Sequence, residues 1–302
     1  MINRAYISIN NKCNLNCSYC SFRAIDTINN DEAFTNSEVE IILKNILDYS
    51  TKKQLEKFVI GICGAGEPLL SFDTIKHIVE WSEAEDESKI LHFYTITNGT
   101  FISQEMIDFF FENKNRIDLN FSLDGYEELH NLGKAKYKNV REGLKKYKNK
   151  FGEYPIIQCT VTKQTILNKE KLVTFFEEEE FLKINFGILF EVDNPDFVIN
   201  YSEYKDFLKY IADKTSIVAR QNKPRKKYDC RIYGNYCSVG RNNPFISKEG
   251  VYPCCRFHKN TDYKFADFST PIDEMEKEIT ARYQPVVEGA CYFETHIIKN
   301  HK

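Results

Sequence analysis

The sequence has no apolar stretch long enough to cross a membrane, and residues 1–9 lack the charged-then-apolar arrangement of a secretory signal. Neither sign of charge dominates, because 41 Lys and Arg stand against 44 Asp and Glu, which gives a formal net charge of −3. This balance argues against a nucleic-acid-binding surface. No internal repeat or low-complexity tract occurs. We therefore expect a cytoplasmic protein with neither nucleic acid nor a membrane as its partner.

Cysteine, by contrast, is abundant, with ten residues among 302. In a chain that is not exported, cysteines are more often metal or redox ligands than partners in structural disulfides. The chain is long enough to bury one large core and to carry a small appended module. Its composition, 42% hydrophobic with 14% aromatic residues, is that of a folded protein. The cysteines are therefore the first place to look for function.

Three of the cysteines lie close together near the amino end. Cys13, Cys17 and Cys20 form a C-x₃-C-x₂-C triplet directly after a short strand-like stretch. Three thiolates at this spacing can hold three irons of a [4Fe–4S] cluster and leave the fourth iron open. An open iron can bind a ligand and deliver an electron to it, whereas a fully ligated cluster mostly shuttles electrons. The triplet therefore indicates a cluster whose fourth iron binds a ligand that is not a protein side chain.

Up to about residue 219, short β-rich runs alternate with charged segments of helical period. The runs predict strands over 6–9, 58–62, 92–96, 118–122, 156–161 and 184–190. The segments between them predict helices over 36–49, 72–82, 104–113, 138–148, 168–178 and 202–219. Six βα repeats predict an α/β fold, a TIM-like partial (β/α)₆ barrel with ligands at the carboxyl ends of its strands.

The last part of the chain, after about residue 222, differs in composition, since it has few apolar runs and is rich in Gly, Asn, Pro and Cys. We assign residues 1–222 to the barrel and residues 223–302 to a small C-terminal module. A segment of this size and composition buries too little apolar surface to be stable by itself. A metal centre would supply the missing organisation.

The triplet, with aromatic Tyr19 before its last cysteine, resembles the signature of the radical S-adenosylmethionine enzymes. The resemblance implies an open (β/α)₆ barrel and a cluster whose open iron is chelated by the amino and carboxylate groups of S-adenosylmethionine. It also implies reductive cleavage of that cofactor to methionine and a 5′-deoxyadenosyl radical, which removes a hydrogen atom from a substrate. A reducing partner such as flavodoxin or ferredoxin would supply the electron.

Further motifs match the same family and assign residues to its cofactor. Cys63-Gly-Ala-Gly-Glu-Pro resembles the GGEP motif, which implies that Gly64, Gly66 and Glu67 bind the amino group of S-adenosylmethionine. The stretches Thr97-Asn-Gly and Ser122-Leu-Asp-Gly resemble the TNG and S-x-D-G passages of the peptide- and sulfatase-modifying branch, which adds Asn98 and Ser122. Lys134 stands where that branch has an arginine, so it keeps the charge and loses the bidentate fork.

A second group of cysteines falls in the C-terminal module. Cys237-Ser-Val-Gly and Gly250-Val-Tyr-Pro-Cys resemble the auxiliary iron–sulfur extension of the same branch. The complete extension, called SPASM, has seven cysteines, whereas this module has five, which resembles the truncated, single-cluster version called twitch. The resemblance implies an auxiliary [4Fe–4S] cluster; a structural zinc site is the second interpretation and disulfides are the third. The ligands implied are Cys230, Cys237, Cys254 and Cys291.

One cysteine of the module is then left over. Adjacent residues do not readily bind the same cluster, so either Cys254 or Cys255 is a free thiol, and the alternative count from Gly250 would exchange the two. Radical peptide epimerases with one auxiliary cluster use such a thiol to return a hydrogen atom to the substrate. We take Cys255 as this catalytic donor. Cys63 and Cys159 lie in strand-like contexts and are expected to be small core residues.

The favoured function is thus L-to-D epimerisation at Cα of a ribosomally synthesised precursor peptide. Two other reactions stay open, namely formation of a peptide cross-link or thioether and oxidation of a Cys or Ser in a sulfatase. A non-catalytic iron–sulfur or zinc-binding sensor is the hypothesis from a different class. The first strand begins close to Met1, so we expect no leader-binding domain before the barrel.

Overall fold

The computed structural model describes residues 1–24, 33–189, 194–219 and 243–282. Its strands are β1 (Arg4–Ile7), β2 (Phe58–Ile62), β3 (Leu91–Thr97), β4 (Ile117–Ser122), β5 (Ile157–Val161), β6 (Lys183–Ile188), β7 (Val218–Ala219), β8 (Phe245–Ser247) and β9 (Gly250–Tyr252). Its helices are α1 (Ser21–Ala24), α2 (Asn36–Lys52), α3 (Phe72–Glu85), α4 (Gln104–Glu112), α5 (Glu127–Gly133), α6 (Tyr137–Phe151), α7 (Lys163–Leu167), α8 (Lys169–Glu178), α9 (Tyr201–Lys214) and α10 (Ile272–Arg282).

The described strands form one sheet in the order β7-β6-β5-β4-β3-β2-β1-β8-β9. Every neighbouring pair from β7 to β8 is parallel, and only β8 and β9 pair antiparallel. Parallel neighbours need crossover connections, which the intervening helices provide. The predicted α/β fold with a parallel partial barrel is therefore confirmed.

The sheet buries its two faces to different extents. In β3, Phe93 and Thr95 are fully buried, while Tyr94 and Ile96 on the alternate face are only half-buried. The buried face packs against the helices, for example against Ile42 of α2 in the same hydrophobic core. Since residues at alternate positions of a strand share a face, the half-buried side chains lie on the inner face of the open barrel.

All six predicted strands and the six predicted helices are present, with shifts at their ends. The predicted helix 202–219 is wrong at its carboxyl end, because α9 ends before Thr215, which is extended, and Val218–Ala219 is strand β7 beside β6. Ile217 and Val218 are β-branched, and such residues pack well on a pleated surface. The predicted helix 168–178 is preceded by a separate short helix, α7.

The C-terminal hairpin of β8 and β9 joins the barrel sheet directly. Tyr6 of β1 pairs with Phe245 of β8, so the described part of the predicted module continues the sheet beyond its first strand. The domain boundary at residue 222 lies outside the described residues and stays a prediction. Within the described part of the chain, no helix combines the length and the apolar character that a membrane crossing requires.

Candidate active site

A cavity of about 370 Å³ opens at the carboxyl ends of the first strands. This volume is within the range of about 300–1,000 Å³ that is common for small-molecule sites. The three thiols of the triplet, Cys13, Cys17 and Cys20, line the cavity. The predicted cofactor residues line it too: Gly64, Gly66, Glu67, Asn98, Ser122 and Lys134. Residues from Cys13 to Lys134, which are far apart in the sequence, thus line one cavity.

The three-cysteine loop, residues 13–20, is held at both ends by hydrogen bonds. The backbone N–H of Lys12 donates to Asn10 Oδ1 at 2.8 Å, and the backbone N–H of Ser18 donates to the Gly133 carbonyl at 2.9 Å. Within the loop, the N–H of Cys20 donates to the Cys17 carbonyl at 3.2 Å. The thiols are therefore presented by a fixed backbone.

The donor set of this loop suits a cluster better than a single metal ion. In the described ranges, no three His, Cys, Asp or Glu side chains converge closely enough to hold one ion. A cubane is much wider than an ion, so its thiolates surround it without converging on a point. Burial raises the pKa of the Cys17 thiol to about 11, while the Lys134 ammonium opposes this effect. Ligation replaces the thiol proton, so the loaded cluster would compensate for this burial.

On one side of the cavity, Glu67 organises the ends of β2 and β3. Its carboxylate is buried and accepts hydrogen bonds from Thr97 Oγ1 at 2.8 Å, Asn98 N at 2.7 Å and Leu69 N at 3.1 Å. Burial raises its pKa to about 6, although these three bonds lower it. Sequence reasoning gave Glu67 only a ligand-binding role, and the structure adds a structural one, because the carboxylate ties the turn after β2 to β3.

Gly64 and Gly66 leave room for a close approach to the backbone. A Cβ on Gly66 would lie 2.6 Å from the carbonyl oxygen of Lys12, and one on Gly64 would lie 2.6 Å from Ser8 Cβ. Ser8 Oγ in turn accepts a hydrogen bond from the N–H of Ala65 at 3.0 Å. Glycine is therefore required at both positions for packing against the segment that follows β1, which also leaves the backbone of this turn without side chains on the cavity wall.

Asn98 connects the end of β3 to the three-cysteine loop. Its Nδ2 donates to Asn14 Oδ1 at 2.8 Å, and its Oδ1 accepts from Thr100 Oγ1 at 2.7 Å. Asn14 Nδ2 completes the triangle by donating to Thr100 Oγ1 at 3.0 Å. Sequence reasoning missed Asn14, although its position between two of the triplet cysteines was a signal.

On the opposite side of the cavity, a buried ion pair follows β4. Lys134 Nζ lies 3.1 Å from Asp124 Oδ1 and donates to Ser122 Oγ at 2.5 Å. Asp124 also accepts from the Tyr19 hydroxyl and from Thr160 N. Burial alone would raise the pKa of Asp124, but chiefly the Lys134 charge lowers it below the ordinary value. The pair thus holds a cation on the cavity wall.

His130 lies directly behind this ion pair and is fully buried. Its Nδ1 accepts from the backbone N–H of Asp124 at 3.2 Å, so the neutral ring carries its proton on Nε2. Burial lowers the pKa of His130 to about 4, against the opposing effect of Asp124. His130 is therefore neutral near pH 7 and supports the backbone of Asp124.

The C-terminal hairpin brings one more thiol to the cavity. Cys255 lines the cavity with the triplet, whereas Cys254 is not among its lining residues in the described part of the chain. Cys255 opens a 3₁₀ turn that ends before His258, and His258 Nε2 lies 3.1 Å from Glu249 Oε2. Glu249 Oε1 also accepts a 3.4 Å hydrogen bond from Asn11 Nδ2, which links the hairpin to the segment before the triplet.

The two cysteines expected in the core have different surroundings. Cys159 is 1% exposed, which agrees with that expectation. For Cys63 the expectation is wrong, because this residue lines the cavity beside Gly64. It lies two positions beyond Gly61 on β2 and so shares the inner face of the strand. The remaining predicted ligands, Cys230, Cys237 and Cys291, lie outside the described residues.

The fold and this cavity define an α/β partial barrel with a cofactor site at the carboxyl ends of its parallel strands. The Radical SAM superfamily model matches residues 7–170, and the chain therefore belongs to the radical SAM superfamily. Membership implies a [4Fe–4S] cluster and S-adenosylmethionine as cofactors. The residues present fit both groups: three thiols, a bare glycine turn and a buried ammonium share one cavity.

Two curated relatives are similar to this chain over about two thirds of its length. A cysteine-type anaerobic sulfatase-maturating enzyme of Clostridium perfringens is 26% identical over 221 residues, covering 67% of this chain and 56% of the relative. Radical SAM cyclopropyl synthase TigE of Paramaledivibacter caminithermalis is 27% identical over 214 residues, covering 66% and 42%. The chain thus spans about half the length of these relatives.

Solved structures show the same fold. Native anSMEcpe with bound AdoMet has a TM-score of 0.74 at 19% identity, covering 90% of this chain and 79% of that chain. SuiB of Streptococcus suis bound to S-adenosylmethionine has a TM-score of 0.67 at 20% identity, covering 89% and 64%. SuiB has also been solved bound to its precursor peptide SuiA. At these identities, the similarity establishes the partial barrel.

Proposed function

We propose that this chain is a radical S-adenosylmethionine enzyme that modifies a ribosomally synthesised peptide by L-to-D epimerisation at Cα. The single observation that carries this proposal is the position of Cys255, whose residue lines the same cavity as Cys13, Cys17 and Cys20. A hydrogen-atom donor must reach the substrate radical inside the chamber in which that radical forms. Relatives named for maturation of a sulfatase and a structure of SuiB with its precursor peptide support the peptide as the substrate class.

The cofactors are held by the residues gathered in the cavity. Cys13, Cys17 and Cys20 bind the cluster, and the glycine turn with Glu67 receives the amino group of S-adenosylmethionine. Ser122 and Lys134 would hold the ribose and the carboxylate of the cofactor, and Asn98 would bind the cofactor beside them. Lys134 is positioned for this by Ser122 and Asp124, which hold Nζ from two directions. The buried location excludes bulk water from these charges and so strengthens each contact.

When bound, the cluster and S-adenosylmethionine supply a 5′-deoxyadenosyl radical that removes the α-hydrogen of an L-residue. The Cys255 S–H bond then breaks, and its hydrogen atom forms the new Cα–H bond on the opposite face of the planar substrate radical. The product is the D-residue, and one electron is left missing at sulfur. One electron from a reduced flavodoxin or ferredoxin and one proton from solvent restore the thiol. Reductive cleavage of S-adenosylmethionine requires a further electron from the same donor, so each turnover consumes two electrons and one proton.

The auxiliary [4Fe–4S] cluster is part of this proposal. Cys230, Cys237, Cys254 and Cys291 are its ligands, which leaves the neighbouring Cys255 unligated. The 3₁₀ turn that begins at Cys255 supports this division, because Cys254 is still extended and the backbone changes direction between the two residues. Cys254 can therefore bind the auxiliary cluster while Cys255 faces the cavity in which the substrate radical forms.

Two other reactions use the same machinery. Cross-link or thioether formation has support from the cyclopropyl synthase relative, and oxidation of a Cys or Ser has support from the sulfatase-maturating relative. A sensor that binds iron or zinc without catalysis would need neither the glycine turn nor the buried Lys134. Production of 5′-deoxyadenosine and methionine by the anaerobic, reduced protein separates an enzyme from such a sensor.

The deciding experiment is co-expression with a small peptide encoded beside the gene, followed by reaction of that peptide in heavy water. Epimerisation adds one deuterium per event, whereas oxidative cross-linking removes two hydrogens. We expect Cys255→Ala to retain cofactor cleavage and to lose the deuterated D-product. Cys254→Ala is the matched control and should instead lose iron from the auxiliary site. Normal epimerisation by Cys255→Ala would overturn the donor assignment.

A further inference from the structure

Three carboxamide side chains lie on the inner face of the barrel, on successive strands. Asn120 is on β4, Gln158 on β5 and Asn185 on β6. Asn120 faces the same way as Ser122, which lines the cavity, because alternate positions of a strand share a face. Ser122 pairs in register with Gln158, and Gln158 pairs in register with Asn185, whose Nδ2 donates to Gln158 Oε1. We call these three side chains the carboxamide belt.

The carboxamide belt adjoins the cavity. Ile96 lines the cavity and is the register partner of Asn120. Ser122 Oγ donates to the Gln158 carbonyl at 3.5 Å. The proposed function places Ser122 and Lys134 at the ribose and the carboxylate of S-adenosylmethionine. A group bound by the belt is therefore next to the ribose, whose 5′ carbon carries the radical.

The belt has hydrogen-bonding groups that the fold does not use. Asn120 is only 6% exposed, yet its carboxamide has no hydrogen-bond partner among the residues that the structure describes. Gln158 accepts from Asn185, but no described group accepts from its Nε2. Buried polar groups are nearly always hydrogen-bonded, so these two carboxamides need partners from outside the described chain.

Gly187 leaves open space beside the belt. It lies two positions beyond Asn185 on β6 and so shares its face. A Cβ on Gly187 would have one described atom within 4 Å, the Cys159 carbonyl oxygen at 4.0 Å, whereas a Cβ on Gly61 of β2 would lie 2.7 Å from Tyr94. Packing against the described residues therefore does not require glycine at position 187. A glycine inside a strand often marks the close approach of a ligand or of another backbone.

The chemistry of the belt selects a neutral ligand. A carboxamide carries no charge and offers both N–H donors and a carbonyl acceptor, so it pairs best with a group that has both. A charged group bound here would lose its hydration without gaining a counter-charge from the belt. A peptide bond and the adenine base of the cofactor are both neutral groups of this kind. The peptide bond is favoured because Asn120 lies deeper in the barrel than Ser122 and because Gly187 admits a second backbone.

We propose that the carboxamide belt and the open space at Gly187 form a subsite that binds a peptide bond of the substrate beside the residue to be modified. The carboxamides of Asn120 and Gln158 hydrogen-bond the peptide C=O and N–H, and the space at Gly187 receives the adjoining backbone. The subsite rests on the proposed function for its peptide substrate and for the position of the cofactor. It does not depend on which peptide reaction follows.

The test measures binding of the fluorescein-labelled precursor peptide encoded beside the gene to the reconstituted protein. Asn120→Leu and Gln158→Met remove hydrogen-bonding groups at similar volume, so each should raise the peptide Kd, measured by fluorescence anisotropy, about tenfold. The Kd for S-adenosylmethionine should stay unchanged. Because the fold does not pair the Asn120 carboxamide, Asn120→Leu should also raise the thermal unfolding midpoint of the peptide-free protein. Gly187→Val suits a strand and should fold normally, but it fills the space and should weaken peptide binding.

The matched control is Asn45→Leu on α2, where the carboxamide is paired, since its Nδ2 donates to the Ser269 carbonyl at 3.0 Å. This variant should have a lower unfolding midpoint and an unchanged peptide Kd. Wild-type peptide affinity in both belt variants would overturn the subsite, as would a lowered midpoint for Asn120→Leu. Weaker binding of S-adenosylmethionine with unchanged peptide binding would assign the belt to adenine and overturn it too. Absence of 5′-deoxyadenosine from wild type would overturn the proposed function itself, whereas belt-dependent peptide binding without a D-product would overturn only the epimerisation.

Discussion

The two sides of the cavity stabilise a buried carboxylate in different ways. On the Glu67 side, one buried carboxylate accepts hydrogen bonds from Leu69, Thr97 and Asn98, and no basic side chain within the described residues is hydrogen-bonded to it. On the Asp124 side, a buried carboxylate faces the ammonium of Lys134 at 3.1 Å. Burial penalises both carboxylates, yet the pKa of Glu67 is raised to about 6 while that of Asp124 is lowered.

The difference indicates how each wall depends on its ligand. The Asp124 side has its counter-charge within the chain, so the charge of this carboxylate is compensated without the cofactor. Among the residues that the structure describes, the Glu67 side has hydrogen bonds but no cation, and the ammonium of S-adenosylmethionine would supply one. We expect the first wall to respond most strongly to loss of charge and the second to respond to pH and to cofactor.

The largest effect is expected from Lys134→Met. This change leaves the Asp124 carboxylate buried without its counter-charge, which costs about 3–5 kcal/mol of unfolding free energy. Urea unfolding of the protein without cofactors measures the loss. Lys138→Met, on the exposed start of α6, is the control and should change stability by less than about 0.5 kcal/mol.

The double variant Asp124→Asn/Lys134→Met sharpens this prediction. It removes both charges while the Asn oxygen still accepts a hydrogen bond, so it should be more stable than Lys134→Met alone. Simple addition of the two single losses would contradict a direct charge interaction between these side chains.

A smaller effect is expected from pH on the Glu67 side. The pKa of Glu67 is raised from the ordinary 4.5 to about 6, so the folded state holds this proton more tightly than the unfolded chain. The corresponding stability is complete below pH 4.5 and is lost as the pH rises through about 6. A shift of this size corresponds to about 2 kcal/mol.

Urea unfolding of wild type and Glu67→Gln between pH 4 and about 7.5 isolates this contribution, because His130 and the other titrating groups are common to both proteins. The stability of wild type relative to Glu67→Gln should fall by about 2 kcal/mol across that range. If Glu67 binds S-adenosylmethionine as proposed, the added cofactor should reduce the fall on the reconstituted protein, because its ammonium would stabilise the carboxylate. A difference that does not change with pH would contradict an uncompensated carboxylate.

The smallest effect is expected from Asn98→Ala. This change removes the bonds from Asn98 to Asn14 and Thr100, and neutral hydrogen bonds at a partly solvated site contribute about 1 kcal/mol each. We expect a loss of about 1–2 kcal/mol together with less iron retained after reconstitution. Asn16→Ala changes an exposed residue of the same loop and is the control. Equal iron retention by the two variants would show that Asn98 does not position the loop.

Much of the fold follows from local patterns. The β-rich runs and helical segments gave all six βα units, because both periodicities are strong where one face is buried. The end of α9 was wrong because Val218 and Ala219 pair with β6 at the sheet edge, which depends on the presence of β6 beside them. The short helices α5 and α7 were missed because a helix of seven or five residues is too short to show a clear helical period in the sequence.

The site was only partly predictable. Motif resemblance found the triplet, the glycine turn, Ser122 and Lys134, since each motif is contiguous in the sequence. It did not find the Tyr19–Asp124 contact or the Asn14–Asn98 contact, because each joins residues 84 or more positions apart. It also assigned Cys63 to the core, since a strand pattern does not tell which face opens into a cavity.

The sequence by itself determined the six-unit barrel and the three thiols of the amino-terminal loop, because periodicity and close spacing are local properties of the chain. Only the tertiary structure decided that Lys134 is neutralised by Asp124, that no described side chain supplies a cation to Glu67 and that Cys255 and Cys63 reach the same cavity. These relations depend on which strand ends meet, and parallel pairing brings together residues that are far apart in the chain.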